Sequence, residues 1–176
     1  AKGRLIAITG TNGKTTTTAL TGAIMKTFFN EVFVVGNIGI PYTDVALDTT
    51  EKSVTVAEVS SFQLETIMDF HPNVSAILNI TPDHLNRHGT MENYIEVKER
   101  VAVNQTEDDC IVLNYDDKVL REFGEKKDLK PKVIFFSPKE GDPDDYVAIE
   151  LANGKRITIT NTCAANVLGL ISPDNF

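Results

Sequence analysis

Short apolar runs alternate along this chain with stretches whose apolar positions recur at helical spacing. "RLIAIT" (4–9), "EVFVVG" (31–36), "SVTVAEVS" (53–60), "CIVLN" (110–114) and "KVIFFS" (132–137) have the length and β-branched content of buried strands. "HPNVSAILNI" (71–80) supplies another, from about Val74. Between them, Lys14 to about Phe29 reads as a helix with Ala19, Leu20, Ala23, Ile24 and Thr27 as its inner stripe. "FQLETIMD" (62–69) reads as a short helix, and 116–124 as another. Thr90 has the character of an N-cap, which starts a helix at Met91 that runs to about Gln105. "NIGIPY" reads as a turn-rich connection. After Ser137 the pattern changes: "DYVAIELANGKRITIT" (145–160) predicts a hairpin turning at Asn153-Gly154, and "CAANVLGLI" (163–171) a final helical piece.

Strands that alternate with helices predict an α/β fold, a mostly parallel, doubly wound sheet of the P-loop type with a small C-terminal β-hairpin. The 176 residues fit one domain, and 41% hydrophobic residues is ordinary for a chain with a real core. A formal charge of -8 argues against a general nucleic-acid binder, which presents a basic face. It leaves room for a nucleotide site, which needs only local positive charge. No apolar run approaches the roughly 18 residues of a membrane span. The start, "AKGRLIAITG", lacks a signal-peptide pattern. Cys110 and Cys163 stand alone, which fits reduced residues and a cytoplasmic location better than a disulfide framework.

Ligands of open parallel sheets bind at the carboxyl ends of strands. Four polar clusters follow expected strand ends: Gly10–Thr16, Gly36–Gly39, Glu58–Gln63 and Asn79–His88. The first, "GTNGKTT", combines Gly10, Thr11, Asn12, Gly13, Lys14, Thr15 and Thr16 between a strand and a helix. Glycines there let backbone N–H groups turn toward an anion, and the helix start adds its positive end. Lys14 would reach phosphates, and the Thr15 hydroxyl would complete a magnesium shell. Only two residues separate Gly10 from Gly13, where the usual phosphate loop has four before Gly-Lys. Glu58, ending an apolar strand, can hold a hard cation; Ser60 or Ser61 can cap the next helix. His84 follows a strand beside Asp83, which favours a site role, whereas His88 reads as a surface residue. The spacing matches no structural zinc motif. By spacing alone Lys98, four residues after Tyr94, reads as a solvated surface lysine.

Together, "TGTNGKTTT" (9–17), "GNIG" (36–39), "EVSSFQLE" (58–65), "NITPDHLNRHG" (79–89) and "YIEVK" (94–98) resemble the central domain of the Mur ligases. These are ATP-dependent amide-bond ligases of peptidoglycan precursor synthesis. The short Gly-x-x-Gly-Lys form is that family's own. "SSFQLE" resembles the branch that adds D-glutamate to UDP-N-acetylmuramoyl-L-alanine; the superfamily also includes folylpolyglutamate synthetases. The resemblance implies that Lys14 and the loop hold ATP phosphates, and that Thr15 and Glu58 hold one Mg²⁺. His84 and a carbamylated Lys98 would serve a second. Asn37 and Ser60 would lie near the acyl substrate. The implied reaction passes through an acyl phosphate. Lys14, Glu58, His84 and Lys98 then form the catalytic set. Full-length relatives add an N-terminal uridine-nucleotide domain and a C-terminal amino-acid domain. The resemblance places both outside this chain, which by itself is expected not to complete ligation. A folylpolyglutamate-synthetase-like ligase core and a nucleotide-binding module without catalysis are the alternatives. Residues 160–170 depart from the family: Thr162 and Cys163 stand where a His-Asn pair is expected, which puts adenine contacts there in doubt.

Overall fold

The computed structural model describes residues 1–137, and the backbone of 147–150 and 156–159. Six strands form one parallel sheet: β1 (Arg4–Thr9), β2 (Val32–Gly36), β3 (Val54–Glu58), β4 (Val74–Ile77), β5 (Cys110–Asn114) and β6 (Lys132–Phe136). Their spatial order is β2-β3-β1-β4-β5-β6. Strand β1 is therefore flanked by β3 and β4, and the loops that leave these three strands emerge side by side. The register sets Ile8 opposite both Glu58 and Ala76, so the carboxyl ends of the three strands are level.

Alternation along β1 divides the core in two. Leu5 and Ala7 join the larger cluster, which packs against Tyr94, Val101, Leu120 and Phe123. These come from α5 (Met91–Glu99), the 3₁₀ turn Arg100–Ala102 and α6 (Lys118–Gly124). Ile6 and Ile8 face the other way, with Val54 and Val56, toward Met25 and Phe29 at the end of α1 (Lys14–Met25). Helices thus cover both faces, as the alternating pattern predicts for a doubly wound sheet. Strands β7 (Val147–Glu150) and β8 (Arg156–Ile159) pair antiparallel in a separate sheet. The expected turn at Asn153-Gly154 and the helical piece at 163–171 lie outside the described residues, as do Thr162 and Cys163.

Helix α1 differs from its expected form in two ways. It stops at Met25 rather than Phe29, and the Thr27 hydroxyl bonds the Ile24 carbonyl just past its end. Such local side-chain bonds compete with helical ones. Its buried face is Thr18, Gly22 and Ile24, while Ala19, Ala23 and Thr27 are exposed. Gly22 sets this rotation: a Cβ there would lie 2.3 Å from Val34 Cγ2, so only glycine allows α1 so close to β2. Gly22→Ala should therefore cost about 1–3 kcal/mol, the usual range for an overpacked core. Urea unfolding measures this directly, and unchanged stability would mean that α1 can move off the sheet freely.

Three further elements are single turns: α2 (Tyr42–Val45), α3 (Ser61–Leu64) and α4 (Leu85–His88). The first and last are absent from the hydrophobic pattern, because four residues carry no period. The helix expected over 62–69 shortens to α3. Arg100 draws the carbonyls of Leu64 and Ile67 toward itself, at 2.9 and 3.0 Å, where a longer helix would have used them. Among the described residues no helix is long and apolar enough to cross a membrane.

Candidate functional site

The loop between β1 and α1 is tied down by the segment that leaves the neighbouring strand β4. Asn79, after β4, grips the backbone of Asn12 at both ends: its Oδ1 accepts from the Asn12 N–H (2.9 Å), and its Nδ2 donates to the Asn12 carbonyl (3.0 Å). The Thr11 N–H donates to the Asn79 carbonyl at 2.9 Å. Gly10 and Gly13 have φ of 143° and 82°, values that L side chains rarely adopt, and they let the loop double back into the helix. Gly13 is the N-cap of α1, no side chain caps it, and no carboxylate occupies the first turn. The N–H groups that a helix start leaves over, together with the positive end of its dipole, are thus available to an anion.

Lys14, the first residue of α1, folds back over this loop. Its ammonium donates to the carbonyls of Thr11 (2.8 Å) and Gly10 (3.1 Å). One residue on, the Thr15 hydroxyl donates to Glu58 Oε2 at 2.8 Å. Glu58 is 2% exposed, and its other oxygen accepts from Asn37 Nδ2 at 3.0 Å. The Asn37 N–H also donates to the Glu58 carbonyl, 2.9 Å away. A hydroxyl and a carboxylate held together offer the hard oxygen donors that magnesium prefers. Thr16 is exposed on the same first turn.

Lys98 is not a surface residue. It is 2% exposed, and its amine donates to Thr9 Oγ1 (3.1 Å) and the Gly10 carbonyl (2.8 Å) under the loop. Burial, and then the charge of nearby Lys14, push its pKa down to about 7 against the weaker pull of Asp83 and Glu58. Spacing had identified its helix face correctly, with Tyr94, but could not show that the phosphate loop lies over that face.

Two further expected residues, His84 and Ser60, lie in the segments that follow β4 and β3. His84 adopts a left-handed backbone conformation, φ 52°, at the start of α4. Its backbone N–H donates to Asp83 Oδ1 at 2.8 Å, and its ring is about half exposed, 3.5 Å from Asp83 Oδ2. The structure therefore gathers Lys14, Thr15, Asn37, Glu58 and Lys98 around one loop and holds His84 beside Asp83 after β4. Ser60 caps α3 in a complete capping box with Gln63, as one reading of that segment expected. His88, expected at the surface, is buried instead at 7% exposure, under the ring of Phe62. Tyr94, 1% exposed, went unmarked as a site residue; its hydroxyl lies 3.1 Å from Thr11 Oγ1. Its position one turn before Lys98 was the available signal.

Residues 8–169 match the Mur ligase middle domain family. The chain is 65% identical over 121 residues to a UDP-N-acetylmuramoylalanine--D-glutamate ligase of Lachnoclostridium phytofermentans, covering 69% of this chain and 27% of that protein. A protein of the same description from Lachnospira eligens is 52% identical over 179 residues, covering 99% and 39%. The chain thus spans about a third of the length of such relatives. Among solved structures, the MurF ligase of Thermotoga maritima in complex with ADP superposes with a TM-score of 0.63 at 25% identity, over 89% of this chain and 38% of that one. A UDP-N-acetylmuramoyl-L-alanyl-D-glutamate--2,6-diaminopimelate ligase has the same TM-score at 24% identity, over 97% and 42%, and shares the fold. With the family match covering most of its length, this chain belongs to the Mur ligase family, as a middle domain.

Proposed function

We propose that this chain is the single ATP-binding middle domain of a cytoplasmic ligase that joins D-glutamate to UDP-N-acetylmuramoyl-L-alanine. The observation that carries this reading is the Thr15–Glu58 pair, 2.8 Å apart, beside the Lys14 ammonium and the open start of α1. Phosphate and Mg²⁺ need those groups at adjacent points, and the residues present fit both. The names of the relatives supply the substrates, and the ADP bound to the Thermotoga maritima structure supplies the nucleotide class.

On this reading Lys14 leaves its two loop carbonyls to meet the outer phosphates of ATP, assisted by backbone N–H groups of Gly13 to Thr16. Thr11 and Asn12 shape the cradle. Thr15 and Glu58 hold one Mg²⁺, and Asn37 fixes the Glu58 carboxylate and faces the acyl substrate with Ser60. Bound Mg²⁺ neutralises charge on the transferring phosphoryl group, where most catalysis of this kind arises. The substrate carboxylate takes the terminal phosphoryl group and ADP leaves. The amine of D-glutamate then attacks the acyl carbon, loses a proton, and inorganic phosphate departs.

Lys98 has a second role in this proposal. A buried amine with a pKa near 7 is substantially neutral at cytoplasmic pH. The neutral amine can add CO₂ and release a proton, which turns the cation into a carbamate anion. With His84, that anion would hold a second Mg²⁺. Such a swap replaces the repulsion between Lys98 and Lys14 with attraction.

Calorimetric titration of the chain with ATP and Mg²⁺ tests the reading. We expect saturable binding but no ligation of D-glutamate by this chain alone. Absence of nucleotide binding would sink the assignment of the loop, and ligation by the isolated chain would overturn the need for further domains.

A further inference from the structure

We infer that His88 is a positioning residue for the phosphate loop, acting through Tyr94 on Thr11. The inference rests on the nucleotide reading of that loop. His88 ends α4, and its ring is buried where three elements meet. Its Nε2 lies 3.0 Å from Ser61 Oγ, and its Nδ1 lies 3.3 Å from Glu65 Oε1. Phe62 stacks on the ring at 5.7 Å and 13°. On the other side Tyr94 packs at 5.2 Å, tilted by 47°. Asn93 Nδ2 holds the His88 carbonyl at 3.0 Å.

These partners are those of a Ser-His-Glu catalytic chain, but the site cannot work as one. Ser61 is 2% exposed, so no substrate reaches its hydroxyl. What the arrangement does is fix the ring. Nε2 lies within hydrogen-bond distance of Ser61 Oγ, and Nδ1 faces the Glu65 carboxylate, which Arg87 also holds. A hydrogen bond at one edge and a carboxylate at the other set the rotation of the imidazole, which an apolar side chain of similar size would leave free.

The oriented ring then backs Tyr94. Thr11 Oγ1 has one hydrogen, which it donates to the Thr81 carbonyl (3.1 Å), and it accepts from the Thr81 N–H (3.0 Å). The Tyr94 hydroxyl, 3.1 Å away, must therefore donate to it. Thr11 in turn presents the carbonyl that Lys14 holds, 2.8 Å from its ammonium. The path runs without a gap from Glu65 and Ser61 through His88 and Tyr94 to the phosphate loop. Its first three members, Glu65, Ser61 and His88, all lie outside the loop Gly10–Thr16.

A double-mutant cycle on the 176-residue chain, read by calorimetry with ATP and Mg²⁺, tests this. His88→Ala should weaken ATP about tenfold and Tyr94→Phe about fivefold, within the range of coupling between neighbouring groups. The double variant should bind no worse than about the larger single loss, because both act on Thr11. Wild-type affinity in a folded His88→Ala, or losses that multiply, would overturn the inference. If His88→Ala fails to fold, His88→Gln decides: its amide can still reach Ser61 while the ring against Tyr94 is lost, and unchanged affinity overturns the proposal. Amide exchange at Thr11 in the nucleotide-free chain gives a second readout. It should quicken in the His88 variants, and an unchanged rate counts against the brace. If the unmodified chain binds no ATP, the nucleotide reading fails while this exchange result still decides whether His88 braces the loop.

Discussion

Lys14→Ala should lose about a hundredfold in ATP affinity, corresponding to about 2.7 kcal/mol, the scale of one or two hydrogen bonds to a charged partner. The side chain now spends its ammonium on the carbonyls of Gly10 and Thr11, which stand over the open start of α1. Phosphate oxygens bound there would draw the ammonium away, since an anion is a stronger acceptor than a neutral carbonyl. The fold should survive the change. Lys14 is only partly buried, it belongs to neither core cluster, and its loop remains held by Asn79. Calorimetry gives the affinity and a thermal melt gives the control. Equal affinity in wild type and variant would remove the loop from the nucleotide site.

The second large effect is one of pH on the nucleotide-free chain. Unfolded, Lys98 keeps its proton up to about 10.5; folded, it gives the proton up near 7. Between these values the unfolded chain binds the extra proton, so stability must rise with pH. Below 7 the penalty of burying the ammonium is fully present, and above it the penalty is relieved progressively. In CO₂-free buffer the gain from pH 7 to 8.5 should be about 2 kcal/mol, or roughly 5 °C in melting temperature. Lys98→Met should lack this rise. The window closes near pH 9, where Cys110 begins to act in the opposite direction: burial raises its thiol pKa above the ordinary 9.0, so stability is lost as pH climbs. Parallel pH curves for wild type and Lys98→Met would show that the amine is not titrating inside the fold.

The strands of the sheet were legible because each is a short apolar run bounded by polar loops, and β5 and β6 began where the pattern placed them. The strand-end rule then grouped the right segments, since Gly10–Thr16, Glu58 and Asn79 do meet. What the pattern missed has one physical cause. Periodicity states which face of an element is buried or polar; it does not state what lies over that face. Lys98 and His88 were both read as surface residues from local chemistry, and both are covered by segments distant in sequence, Thr9–Gly10 over one and Ser61–Phe62 over the other. For Lys98 the fold supplied what spacing could not, by laying the β1–α1 loop over it. The rotation of α1 escaped for a related reason: Gly22 carries no hydrophobic signal, yet its missing side chain decides how closely the helix seats.

The bond from Lys98 to the Gly10 carbonyl joins residues 88 positions apart. That separation bears on when the site comes into being as well as where. During synthesis the loop leaves the ribosome before its floor exists, because α5 follows only several seconds later at about 5–20 residues per second. Until then Thr9, Gly10 and Glu58 have no buried amine beneath or beside them. A nascent chain released after β3 would carry the complete signature "GTNGKT" and no finished site. Nucleotide capture by growing chains should therefore begin as a step, once residues beyond Lys98 clear the exit tunnel, and arrested chains of graded length would reveal that step.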